Sequence, residues 1–144
     1  MAAMVPDAMS GVRAARDAGL VRAEALVAVR AKAERGDFTH ALSDLLRDAL
    51  GSRPLLRLHI WRVEQAAFDN RTATCKRHAR IAAEWCGVDG ARAGSLTLAW
   101  LLDERTGGAR LAAWLLAISL DMRDAHGGRA FLLSGPDPFA HVRS

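Results

Sequence analysis

At 144 residues the chain holds one domain's worth of core, and 51% hydrophobic with 25% charged residues excludes wholesale disorder. Twenty Lys+Arg against sixteen Asp+Glu leave a net charge of +4, which favours an anionic partner. Two cysteines, Cys75 and Cys86, exclude a disulfide framework and point to a reducing cytosol, and no run approaches the roughly 18 apolar residues of a membrane span.

In chain order, residues 1–10 lack the cationic start and apolar core of a secretory leader. From about Val12 to Arg35, Ala15, Val21, Ala25, Leu26 and Val29 recur at helical intervals with arginines between them, and Gly36 is a suitable stop. Its modest apolar content makes this helix read more as a basic arm than as a core element. A short second helix follows, capped by Thr39, with Leu42, Leu45, Leu46 and Ala49 as its stripe and Gly51 at its end. Pro54 suits a first helical position, and a third helix is predicted from there to about Phe68. It directs Leu55, Leu58, Trp61, Val63 and Ala66 inward and Arg57 and Arg62 outward. Asp69-Asn70 signals a turn, with Asn70 the residue suited to a left-handed position. A fourth helix from Thr72 or Thr74 to Cys86 buries Cys75, Ile81, Ala82 and Trp85 and closes at Gly87. Ser95 is predicted to cap a fifth helix through Leu102, and Gly107-Gly108 to precede a sixth over Ala109–Met122. The tail from Arg129 has no clear period, and Phe131-Leu132-Leu133 reads as a short strand or packing clip. The sum is an all-α chain with a long basic N-terminal helix.

The charge is unevenly placed along this framework. Residues 11–35 carry six basic and three acidic groups, and residues 53–92 carry eight against four. Between them, residues 36–52 are net acidic, and residues 93–144 balance at five each. The last third therefore reads as structural.

Motifs of catalysis are missing. Cys75 and His78 lie three apart on one helix, but no second pair completes a zinc site, so both thiols read as structural and no metal or cofactor is expected. The five histidines are scattered, and Asp103-Glu104, being adjacent, point to different sides of a helix. Neither a GxGxxG nor a P-loop occurs. The chain reads as a non-enzyme.

The stretch Asp69-Asn70-Arg71-Thr72-Ala73-Thr74-Cys75-Lys76-Arg77-His78-Ala79-Arg80 is more informative. A turn leads into a helix start where free N–H groups and the hydroxyls of Thr72 and Thr74 can meet phosphate oxygens, and Arg71, Lys76, Arg77 and Arg80 add cations. Within the stretch Asp69 is the one acidic residue, and first-turn cations suit the helix dipole only with an anion nearby.

Read in order, the segments resemble the actinobacterial integration host factor family of small nucleoid proteins. The residues that carry the resemblance are Val27–Leu42 at the helix end and restart, Pro54–Val63 before the turn, and Leu102–Arg105 through Leu111–Leu116 near the close. It covers about residues 12–118. Where the family's turn is of a Pro-x-Val-Gly-Lys type, this chain has Phe68-Asp69-Asn70-Arg71-Thr72-Ala73-Thr74. The resemblance implies a compact helical core of helix–two-turn–helix type and sequence-tolerant binding of double-stranded DNA through phosphates. Arg13, Arg16, Arg22, Arg30, Lys32 and Arg57 would assist Arg71, Thr72, Thr74, Lys76, Arg77 and Arg80. The implied division is a basic arm over 1–36, a DNA-binding core over 37–126 and a tail over 127–144. The implied location is the cytoplasmic nucleoid, with recombination or phage proteins as further partners. DNA-glycosylase chemistry on a related element is not expected, since Pro6 follows five residues and no zinc finger is present. The competing expectation is a helical protein-interaction module, in which Trp61, Trp85, Trp100, Trp114 and the neutral last third form a partner surface.

Overall fold

Alanine-rich sequence with apolar residues at helical spacing folds as expected into helices. The computed structural model describes residues 8–88, 90 and 92–125, and among these the chain is all-α, with seven α-helices and no strand beyond one isolated bridge. The predicted break at Gly127-Gly128 and the tail from Arg129, with its Phe131–Leu133 clip, lie outside the described residues.

Helix α1 spans Ala8–Glu34 and at 1.5 Å per residue is about 40 Å long. Its terminus is a Schellman motif: Asp37 N–H donates to Lys32 C=O at 3.0 Å and Gly36 N–H to Ala33 C=O at 2.9 Å. Gly36 takes φ 79°, open to glycine without a Cβ penalty. Val29 is 2% exposed and Ala25 and Leu26 pack beside it, whereas residues 8–17 are all exposed. The arm reading therefore fits only the first part of the helix, because from Ala25 onward α1 supplies core surface. Truncation before Ala25 should leave the remainder folded, with a melting curve close to that of the full chain. Truncation through Arg35 should lose cooperative melting by circular dichroism, since it removes Val29 and the Lys32–Asp44 pair at 2.7 Å.

Helix α2 (Phe38–Leu50) buries Ala41, Leu42, Leu45 and Ala49. Its cap is Asp37, whose carboxylate accepts from His40 N–H, and not Thr39, which lies exposed inside the first turn. The predicted third helix is two: α3 (Arg53–Leu56), with Pro54 in its first turn, and α4 (Ile60–Phe68). The break comes from pairing across the fold. Ile60 N–H donates to Leu96 C=O and Leu98 N–H to Leu58 C=O, around a His59–Thr97 bridge. Leu58 and Ile60 are both buried with half-buried His59 between them, the two-residue alternation of extended chain.

Helix α4 ends at Asp69, which itself takes the left-handed conformation (φ 57°) in place of Asn70. Helix α5 (Thr72–Trp85) buries Cys75, His78, Ala79, Ala82 and Ala83, a stripe at i, i+3, i+4, i+7 and i+8. Trp85, expected inside, is 51% exposed, and Ile81 is half-buried. A second Schellman motif at Gly87 (φ 71°) ends this helix. Ser95 closes a short 3-10 turn, Ala93–Ser95, and Thr97 caps α6 (Leu98–Leu101) in the place predicted for Ser95. After Gly107-Gly108, α7 (Ala109–Ala125) sends Trp114, Ala117 and Ile118 into the core against α5. Helix α1 packs on α2, α3 and α4, and α4 packs on α5. No helix among the described residues is long and apolar enough to cross a membrane.

Candidate nucleic-acid interface

The α4–α5 turn brings the expected basic helix start to the surface. No side chain caps α5 and its first turn holds no acidic residue, so its N–H groups are left without carboxylate compensation. Arg71, Thr72 and Ala73 are exposed, and Thr74 is half-buried. Gln65 Nε2 donates to the Thr72 hydroxyl oxygen at 3.1 Å, leaving the hydroxyl proton free to be given elsewhere. Arg71 has no carboxylate partner among the described residues. Lys76 has none either: its ammonium lies 5.2 Å from the centre of the Trp61 ring, and its stem runs beside Gly94.

Four of the other expected cations are already engaged. Arg77 donates to Asp121 at 2.6 Å and Arg80 stands 3.8 Å from Glu84, although both are exposed as expected. Arg30 bridges to Asp69 at 3.0 Å and to Glu34 at 3.1 Å, which pins α1 to the α4–α5 turn. Lys32 is tied to Asp44. Acidic partners are thus less scarce than the local sequence implies, because Asp121 reaches α5 from 44 residues away. Such exposed pairs are weak and can yield to a stronger anion.

Arg13 and Arg16 lie exposed on the outlying part of α1. Arg22 and Arg57 instead meet across a groove between α1 and the α3–α4 junction, together with His59 and Arg62. Arg62 was not among the expected site residues; its outward position was legible, but its facing Arg22 depends on the α3–α4 break. Trp61, expected in the core, is half-buried and lies under Arg62 (5.0 Å) as well as Lys76.

Behind the α5 surface lies a buried polar cluster that sequence reasoning missed. Glu64 and His78 are 0% and 1% exposed. His78 Nδ1 is 2.8 Å from Glu64 Oε2 and Nε2 is 2.6 Å from Asp121 Oδ2. With a carboxylate on each nitrogen, both nitrogens donate only if the ring is an imidazolium. Burial pulls the His78 pKa down, but Glu64 and Asp121 outweigh it and hold it above its usual value. Burial tends to lift Asp121, yet bonds from His78 and Arg77 hold it below the usual carboxylate value. Asn70 Nδ2 also donates to Glu64 Oε2 at 3.1 Å, while Glu64 Oε1 has no partner among the described residues. The signal for Glu64 was its place in the inward stripe Ile60, Val63, Glu64, Ala67. Cys75 is a buried free thiol, and burial with the nearby Glu64 charge pushes its pKa far up, which makes it inert. Asp103 caps the Glu104–Thr106 turn and pairs with Arg105, which with that N–H bond holds its carboxyl at about 2. Among the described residues no group of His, Cys, Asp or Glu is arranged to hold a metal ion. Comparison with family models, curated proteins and solved structures gives no match.

Proposed function

We propose that the protein binds double-stranded DNA, largely without regard to sequence, through phosphate contacts, as an integration-host-factor-like nucleoid or recombination-assisting protein. The observation that carries this reading is the α5 start, where Arg71 and Lys76, exposed and without carboxylate partners among the described residues, stand beside uncapped N–H groups and the Thr72 hydroxyl. Arg71 at the N-cap and Lys76 in the second turn flank the positive end of the helix dipole, and a phosphate oxygen there relieves both the dipole and the charges. The α4–turn–α5 segment, with Asp69 left-handed, serves as the helix–two-turn–helix element, and Arg13 and Arg16 extend the basic surface. Such a protein gains affinity by releasing counterions and acts on DNA in the cytoplasmic nucleoid without catalysis.

Replacing Arg71 and Lys76 together by alanine should lower affinity equally on unrelated duplexes, since a phosphate contact reads no base. The slope of log K against log salt should fall by about 0.9 for each phosphate no longer neutralised. Arg77→Ala with Arg80→Ala should do less, because Asp121 and Glu84 already compete for those guanidinium groups. A folded Arg71/Lys76 variant with unchanged affinity and slope contradicts the reading. A protein-interaction role has one observation in its favour: Trp85, Leu116 and Leu120 are 51%, 52% and 41% exposed. Concentration-dependent mass in solution, or a stoichiometric partner that no longer binds after Trp85→Ser, would favour that role.

A further inference from the structure

The groove between α1 and the α3–α4 junction has a composition that folding does not explain. Its wall carries Arg22, Arg57, Arg62 and His59 with Gly19, Ala23, Leu26 and Leu58, and no carboxylate, around a cavity of about 460 Å³. None of the three guanidinium groups has an ion-pair partner among the described residues, although most cations elsewhere on α1's inner end and on α5 do. Three permanent like charges along one groove repel one another, and an anion seated among them relieves that repulsion. The backbone nevertheless holds them there: the Leu58–Leu98 and Ile60–Leu96 hydrogen bonds fix the segment from Arg57 to Arg62 against the core.

We infer that this groove is a phosphate-binding site, separate from the α5 start, in which Arg22, Arg57 and Arg62 hold the phosphate oxygens. Guanidinium groups suit this ligand because each offers a planar fork of N–H donors and stays charged at any physiological pH. Gly19 and Ala23 on the α1 wall leave room for the ligand. That the phosphate belongs to DNA rests on the duplex reading above. The phosphate chemistry itself does not, and both an internal backbone phosphate and a terminal 5′-phosphate satisfy it.

The test uses the full chain and the double variant Arg57→Ala/Arg62→Ala, two exposed positions whose substitution should leave melting unchanged. Each protein is titrated, at several salt concentrations, with one random-sequence duplex carrying either 5′-hydroxyl or 5′-phosphate ends. A salt slope reduced by about 0.9 per phosphate on both duplexes assigns the groove to backbone phosphates. A reduction confined to the 5′-phosphorylated duplex assigns it to DNA ends. A folded variant with unchanged affinity and slope on both duplexes overturns the groove, while the α5 reading stands. If the unaltered protein binds neither duplex, the DNA reading falls, and titration with inorganic tripolyphosphate decides the groove. Shifts at the side-chain N–H resonances of Arg22, Arg57 and Arg62 then sustain it, and unmoved resonances overturn it.

Discussion

Trp114→Ala should destabilise the protein by about 3–5 kcal/mol, the cost expected for deleting a fully buried aromatic side chain. Trp114 is the largest side chain with no exposure, and it joins α7 to a core otherwise built of alanine, leucine, isoleucine and valine. Alanines line the facing part of α5 (Ala79, Ala82, Ala83), so few neighbouring side chains can move into the void. Its indole N–H is buried without an acceptor among the described residues. Trp114→Phe should therefore cost much less than Trp114→Ala, because it removes an unsatisfied donor together with part of the volume. Chemical denaturation of the two variants checks this. Equal losses of stability would place the stabilisation elsewhere than in packing.

The second large effect concerns the charge cluster under α5. Replacing His78 by leucine leaves Glu64 buried with only Asn70 to meet it, and breaking a buried pair in this way costs about 3–5 kcal/mol. The pH dependence has a definite sign. The His78 pKa is higher folded than unfolded, so its contribution is fully present below the unfolded value of about 6.5 and is lost as pH rises through the raised folded value. Asp121 works in the opposite direction: its folded pKa is lowered, so its contribution is lost as pH falls through that value. The groups facing His78 are Glu64 from α4, Asp121 from α7 and, through Asp121, Arg77. Thermal melts should show stability declining as pH rises above about 6.5, and Glu64→Gln should flatten that decline. A wild-type melting temperature that rises over the same range would show that His78 is neutral in the fold.

The cluster also couples structure to surface. His78 and Arg77 share the Asp121 carboxylate, so the exposed guanidinium is held by an interaction anchored in the core. This is the reason Arg77→Ala is expected to weaken phosphate binding less than Arg71→Ala.

Local sequence announced what local physics decides. Gly36 and Gly87 end helices through left-handed conformations that glycine adopts without cost, and the stripe Leu42, Leu45, Ala49 fixes the inward face of α2. Partners distant in sequence decided the rest. The α3–α4 break depends on residues 58–60 meeting residues 96–98, which no period in residues 54–68 reveals. Trp85 ends outside because α5 buries the alanine stripe one turn earlier. The basic α5 start was legible from composition alone. The division of its cations into Arg71 and Lys76, without carboxylate partners among the described residues, and the ion-paired Arg77 and Arg80 was not, since it depends on where α4 and α7 pack. Glu64 resembles a solvent-facing residue by type and is buried only because His78 and Asn70 meet it.

Duplex binding through phosphates stands or falls on one titration. Fluorescence anisotropy with two unrelated random-sequence duplexes is measured between about 50 and 200 mM salt, the range in which counterion release dominates. Phosphate-mediated binding predicts the same affinity for both duplexes, weakening steeply and linearly in log K against log salt. Absence of binding at the lowest salt, or affinity indifferent to salt, would contradict it.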